Sequence, residues 1–256
     1  VYKRQDHKSV DKQIHIFNKN DFSYLTSIGN FGEGPEEITV MGCLAIDEAH
    51  HQLYVSDHAK QKIFSYDMDS VMVDSLYKPQ VKTAMNETLF PSEYQYINDT
   101  LSIAVLIKPT STSTFNQFLG RWNMNTGEMI PMKYTHPDIQ KKRITFAASE
   151  KAGIYVECYT RHDLMTICSL DGELLYNIYG PDWDGGNGNK LQSFGTVMIG
   201  NDKIFVSYCG EDYARYSFPT KILVFDLEGN YLKTLETGYK ISDCCYDSFN
   251  NRIILS

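Results

Sequence analysis

Two histidines stand beside charged neighbours in short polar phrases, Asp57-His58-Ala59-Lys60 and Tyr159-Thr160-Arg161-His162-Asp163. Imidazole nitrogens with a carboxylate such as Asp57 or Glu211 suit a divalent metal that activates water. No spacing motif ties these residues together, so histidine on a surface loop is the competing reading. His58, His162 and Asp57 are therefore the only candidate ligands, and no cofactor is assigned. A second set is aromatic. Trp183, Tyr213 and Tyr216 have the ring types that stack on a sugar or a peptide, and equally the types that cover loop edges. With the charges of Lys60, Arg161, Glu211 and Arg215 they complete a ligand-facing set of Asp57, His58, Lys60, Arg161, His162, Trp183, Glu211, Tyr213, Arg215 and Tyr216.

Other chemistry finds little support. The stretch Asp182 to Asn189 alternates oxygen donors with glycines but lacks the ordered frame of a calcium loop, which favours a flexible loop. Ser149, Ser207 and Ser256 have no nucleophile-elbow context, so serine hydrolase chemistry and a catalytic residue are not assigned. Six cysteines form no C-x-x-C pair, and Cys244 and Cys245, being adjacent, point to opposite faces of a strand; buried thiols acting as small hydrophobes are the simpler reading. The net charge of −8 offers no basic stripe for a nucleic-acid backbone. No apolar run reaches the roughly 18 residues that span a bilayer.

The elements that must position these residues are strands. A hydrophobic content of 42% with 18 Tyr and 13 Phe suits half-buried pleated surfaces. The stretch Ala45 to Ser56 returns almost position for position as Cys245 to Ser256, which means stacked copies of one supersecondary unit. Within it, Asp47 and Asp247 begin matching turns and read as turn formers rather than catalytic acids. A strand, a polar turn and another strand recur at Lys62 to Asp67, around Asp171-Gly172 and around Glu228-Gly229.

Alternation and turn signals divide the chain into four-stranded copies of about 45 residues, with strands a to d in order. The first complete copy is expected at Cys43–Asp47, Leu53–Ser56, Ile63–Asp67 and Val71–Tyr77. The next is at Glu93–Ile97, Leu101–Ile107, Gln117–Asn123 and Glu128–Tyr134. The third is at Arg143–Ser149, Ile154–Cys158, Met165–Leu170 and Glu173–Tyr179. The fourth is at Thr196–Gly200, Lys203–Tyr208, Lys221–Leu227 and Tyr231–Glu236. Half copies flank them, strands c and d at Gln13–Asn18 and Phe22–Gly29, and strands a and b at Ile241–Asp247 and Arg252–Leu255. No useful helical periodicity is visible, and no linker separates domains. The expected fold is an all-β propeller of four-stranded antiparallel blades, one domain over residues 6–256. In such a blade the b-to-c and d-to-a loops emerge together. Asp57-His58 and Arg161-His162 are then expected at equivalent places in two blades.

The loop Gly29-Asn30-Phe31-Gly32-Glu33-Gly34-Pro35-Glu36-Glu37-Ile38, followed by Leu44 to Asp47, Leu53 to Asp57 and Lys62 to Asp67, resembles an NHL-type repeat. It is similar in particular to TolB-like six-bladed propellers of bacterial cell envelopes, many of them predicted lipoproteins. The likeness is full over residues 29–67, fragmentary over 164–180 and 221–256, and absent over 85–135. It implies six blades and an envelope location; the rigid architecture and the lack of catalytic signatures point to a non-enzymatic monomer that binds a protein, peptide or glycan through its loop face. The alternatives are a metal-dependent hydrolase or lyase of lactonase type, whose acid and Asn ligands have no clear match here, and a structural assembly module. The bacterial likeness makes the sequons at Asn86 and Asn98 incidental. Val1-Tyr2-Lys3-Arg4-Gln5 resembles translated sequencing-adapter read-through and is set aside from the fold. The chain is expected to be a fragment, cut at both ends, with any export signal outside it.

Overall fold

The computed structural model describes residues 2–5, 8–74, 76–111, 113–140, 142–187, 191–215 and 217–256, with the backbone alone for residues 2–5 and Tyr213. It forms two compact units, residues 1–131 and 132–256. No helix among the described residues is long and apolar enough to cross a membrane.

The first unit holds three antiparallel sheets in chain order. They are β1 (Tyr2–Gln5), β2 (Lys12–Phe17) and β3 (Tyr24–Asn30); β4 (Met41–Asp47), β5 (Gln52–Asp57), β6 (Lys62–Asp67) and β7 (Gln80–Ala84); and β8 (Phe90–Asn98), β9 (Leu101–Pro109), β10 (Phe115–Trp122) and β11 (Met129–Pro131). The pentapeptide set aside above supplies β1, paired along its length with β2. The middle sheet is apolar on both faces because successive strand side chains point opposite ways. Leu53 and Val55 pack with Ile14 and Ile16 of β2, while Tyr54 and Ile63 pack with Tyr94, Leu106 and Trp122.

The second unit repeats this arrangement with β12 (Ile144–Ser149), β13 (Ile154–Tyr159), β14 (Leu164–Ser169) and β15 (Leu174–Tyr179), then β16 (Leu191–Gly200), β17 (Lys203–Asp212), β18 (Lys221–Asp226) and β19 (Tyr231–Glu236), then the pair β20 (Cys244–Asp247) and β21 (Arg252–Leu255). Val156, Cys158 and Ile167 meet Ile204 and Val206 of the next sheet, whose other face sets Phe205 and Val224 against Cys244 and Ile241.

The turns explain the repeat. Asp47 accepts hydrogen bonds from the His50 amide (3.2 Å), and Asp247 from the Asn250 amide (3.4 Å) and the Asn250 side chain (2.7 Å). At both turns the residue that follows, His51 or Asn251, is left-handed (φ 53° and 49°). Both aspartates thus act as turn formers. The c-to-d pairing slips register in four sheets, between Ile16 and Phe17, Ile63 and Phe64, Ile167 and Cys168, and Val224 and Phe225. Such bulges increase twist and bend the edge strand away.

One expected strand is corrected. Val71–Tyr77 is not strand d of the first complete copy: Met68–Val73 forms a short helix, α1, and the edge strand is β7 at Gln80–Ala84. The Asp67 carboxylate caps α1 by accepting from the Ser70 amide at 2.7 Å, and Val71 is buried against the β2 and β5 core. The c-to-d turns at Asp171-Gly172 and Glu228-Gly229 carry a glycine in the left-handed region, φ 87° and 85°; the Asp67-Met68-Asp69 step has none, so the chain departs into a helix before returning. Strand β11 is likewise shorter than Glu128–Tyr134, ending at Pro131.

The packing predicts an asymmetric response. Ile167→Ala, deleting a side chain with no exposed surface, should lower the unfolding free energy by about 2–5 kcal/mol. Leu175→Ala, on an edge strand and 45% exposed, should stay within about 0.5 kcal/mol. Urea unfolding of both variants checks this, and equal losses would contradict the buried placement of β14 against the next sheet.

Candidate functional site

In the second unit, the segment leading into β12 (residues 132–140 and 142–143), the β13–β14 loop (160–163) and the start of the β15–β16 connection (180–187) emerge at one end of the first sheet. Asp163 holds the last two together. Its backbone carbonyl accepts from the Gly180 amide (2.8 Å) and its carboxylate from the Asp182 amide (3.0 Å). A Cβ at Gly180 would lie 2.0 Å from the Asp163 carboxylate, so only glycine lets the chain pass there. Burial pushes the Asp163 carboxyl up, against the lowering effect of the Asp182 amide.

On this frame sit four rings. His136 and His162 are 2% and 5% exposed, whereas Tyr179 is 49% exposed and Trp183 half-buried. Trp183 is the hub, with ring centroids 5.1 Å from Tyr179, 5.4 Å from His136 and 6.1 Å from His162. His136 Nδ1 accepts from the Asp138 amide (3.3 Å), which leaves its Nε2–H to donate to the Tyr179 hydroxyl (3.1 Å). His162 Nδ1 stands 3.9 Å from Asp184 Oδ1, and both atoms are buried without a hydrogen bond. Burial lowers both imidazoles, with Asp138 and Asp184 pulling the other way, so both are neutral near pH 7.

Beneath the rings lies a buried ion pair. Lys142 Nζ is 2.6 Å from both Glu157 oxygens, at 7% and 1% exposure, and Tyr159 Oη donates to Glu157 at 3.1 Å. The Tyr159 ring continues the chain to His162, 6.2 Å away. On the neighbouring sheet, Tyr208 has its phenol pushed up to about 12 by burial and by the charges of Asp163 and Asp182.

The residues anticipated from sequence are distributed unevenly. Asp57, His58 and Lys60 belong to the first unit, and two of them are spent on backbone. The Asp57 carboxylate, fully buried, accepts from the amides of Thr39, Val40, Ala59 and Lys60, while Lys60 Nζ donates to the carbonyls of Gly32 (3.1 Å) and Glu37 (2.6 Å). Together they pin the Gly32 to Val40 loop. His58 packs on Phe90 (6.0 Å) and against Gly42, where a Cβ would lie 2.3 Å from its Nε2. The two histidines are not at equivalent positions. His58 is the first of four residues between the paired Asp57 and Lys62, whereas His162 is the third between Tyr159 and Leu164. Arg161 is half-buried on the loop of His162. Glu211 and Arg215 face each other at 3.8 Å, both exposed, at the end of β17 and on a 3-10 turn. Tyr216 and the Tyr213 side chain lie outside the described residues, as do Gly188 and Asn189 of the glycine-rich loop. Among the described residues, no group of three or more His, Cys, Asp or Glu side chains converges to hold a metal ion.

His136, Tyr179 and the Lys142–Glu157 pair were absent from the sequence reading. Their available signals were Tyr134-Thr135-His136-Pro137-Asp138, a turn phrase that follows directly on the expected strand Glu128–Tyr134, and Glu157, a charge inside the otherwise apolar β13.

Two measurements follow from this geometry. Lys142→Met leaves the Glu157 carboxylate buried and alone and should cost about 3–5 kcal/mol, while Lys142→Met/Glu157→Leu should recover most of the loss. Urea unfolding decides, since a double variant no better than the single one would deny the coupling. The unfolded chain holds histidine near its ordinary pKa of about 6.5, above the folded value, so it takes up protons first as pH falls. Stability should therefore decline below about pH 6.5 until the folded pKa values are passed, and His162→Gln should flatten the difference between about pH 7 and pH 5.

Residues 7–159 match DUF5128, described as a 6-bladed beta-propeller. No curated protein matches. Among solved structures, the chain resembles a protein of unknown function from Bacteroides caccae with 12% identity and a TM-score of 0.51, covering 92% of this chain and 75% of that one. It resembles a member of the duf4221 family from Bacteroides vulgatus with 10% identity and a TM-score of 0.57, covering 91% and 77%. A chain of a nidogen/laminin complex matches with 10% identity and a TM-score of 0.54, covering 87% and 71%. These identities speak for fold alone. The family match spans more than half of the sequence, and the chain belongs to the DUF5128 family of 6-bladed beta-propellers.

Proposed function

We propose that the protein is a non-enzymatic binding propeller that takes a peptide segment or loop of a partner protein on the Trp183–Tyr179 surface of its second unit. One observation carries the reading: two large rings are exposed or half-exposed at a loop end, braced from behind by two buried imidazoles. Rigid Trp and Tyr rings supply large contact area at low entropic cost, which is why they dominate binding hot spots. The other tryptophan, Trp122, is 1% exposed and belongs to a core. Asp182 and Asp184 add carboxylates beside the rings, favouring a segment with a basic or amide group. A nidogen/laminin complex chain of similar fold gives this a precedent only by analogy.

The bacterial envelope location and monomeric state are part of the same proposal and rest on the NHL-type and TolB-like resemblance of residues 29–67. The metal-dependent hydrolase reading keeps two atoms in its favour, His162 Nδ1 and Asp184 Oδ1, unpartnered and 3.9 Å apart. Two donors fall short of the three protein ligands of a hydrolytic zinc centre, so peptide binding is preferred.

Selection of displayed random dodecapeptides on the wild-type protein tests the proposal. Recovered peptides should shift the emission of Trp183, and Trp183→Ala should weaken them by about 30-fold or more, the loss expected of a hot spot. Peptides that bind Trp183→Ala as well as wild type would remove the site. A thermal shift with zinc, manganese or calcium in place of peptide binding would favour the metal reading.

A further inference from the structure

The opposite end of the same unit carries a second feature. Gly200 pairs with Lys203 across a two-residue turn, Asn201-Asp202, in which both residues are left-handed (φ 48° and 54°). Such turns favour glycine at the second position, because a side chain there is held in a costly conformation. Asp202 keeps its carboxylate nonetheless. On the adjacent β20–β21 turn, Asn251 is left-handed as well, φ 49°. Three polar side chains from two turns are thus fixed by their backbones in a conformation that glycine would adopt more readily.

They meet around Tyr246. Its hydroxyl donates to Asn251 Oδ1 at 2.6 Å, and Asn201 Nδ2 donates to the same oxygen at 3.3 Å. Phe205 stacks on the Tyr246 ring at 5.4 Å and 16°. A Cβ at Gly200 would lie 2.1 Å from Tyr246 Cε1, so glycine is required for the ring to sit where it does. Between these groups opens a cleft of about 430 Å³, completed by Ser248, Ile199 and Leu227 and by Lys151 from the β12–β13 turn. That volume is within the range of small-molecule sites, about 300–1,000 Å³.

The lining combines a braced aromatic ring and two aliphatic side chains with amides, a hydroxyl, one carboxylate and one ammonium. The ammonium of Lys151 is 3.6 Å from Asp202, so the two charges offset each other and neither phosphate nor a free cation is favoured. A neutral ligand whose groups each donate and accept, and which has an apolar C–H face, matches this set. We infer that the cleft binds a neutral saccharide, with one hexopyranose face against Tyr246 and its hydroxyls on Asn201, Asp202, Ser248 and Asn251. The site is separate from the Trp183 surface and does not depend on it.

Saturation-transfer NMR with maltose, cellobiose, lactose and diacetylchitobiose tests this on the full chain. At least one disaccharide should bind with a dissociation constant below about 10 mM. Asp202→Gly restores the residue the turn prefers, so its thermal midpoint should be unchanged or raised. Its affinity should fall about tenfold or more, while Trp183→Ala leaves saccharide binding intact. No transfer from any of the four sugars, or equal binding by Asp202→Gly, would overturn the inference; loss on Trp183→Ala would move the sugar to the other end of the unit.

Discussion

A sheet whose central strands are apolar on both faces cannot be stable alone, and this constraint governs each unit. In the middle sheet of the first unit, Leu53 and Val55 face one neighbour and Tyr54 the other; in the second, Ile204 and Val206 face one neighbour and Phe205 the other. Every such sheet therefore needs a sheet on either side. The strands in turn hold their loops at two fixed ends, so side chains far apart in sequence, such as His136, His162 and Trp183, are brought to one place without a helix or a disulfide to hold them.

The two ends of the second unit solve different problems. At the loop end, polar groups are buried and largely satisfied inside: Lys142 with Glu157, Tyr159 with Glu157, His136 with Tyr179. The aromatic surface of Tyr179 and Trp183 is what remains in contact with solvent. At the turn end, little is buried, and the side chains that matter are fixed by backbone conformation rather than by packing. Asn201, Asp202 and Asn251 hold their positions because the hairpins do.

Period-two alternation and glycine turns made the fold legible, because each strand of these sheets obeys the same two rules. The lost strand at Val71–Tyr77 shows the limit: Val71 and Val73 alternate as a strand would, but the Asp67 cap and the missing turn glycine decide for a helix. The site was less legible. Trp183 and His162 were visible as residue types, whereas His136 lay in a turn just past an expected strand, and the Glu157–Lys142 pair is made by residues 15 positions apart that only the sheet brings together. Asp57 and Lys60, chosen for their charge, turned out to hold backbone groups, a role that residue type cannot reveal. The equivalence of His58 and His162 failed for a similar reason, since the hairpin register places one first and the other third in a four-residue loop.

The slipped register between strands c and d bears on how such a chain can vary. In four sheets the edge strand joins through a bulge, and in the first unit this step already absorbs α1 while the β5–β6 ladder stays in register. The entropy of closing a longer loop grows only slowly with its length. Insertions and deletions should therefore accumulate beside the edge strands, leaving the inner strands as the part of the sequence least free to drift.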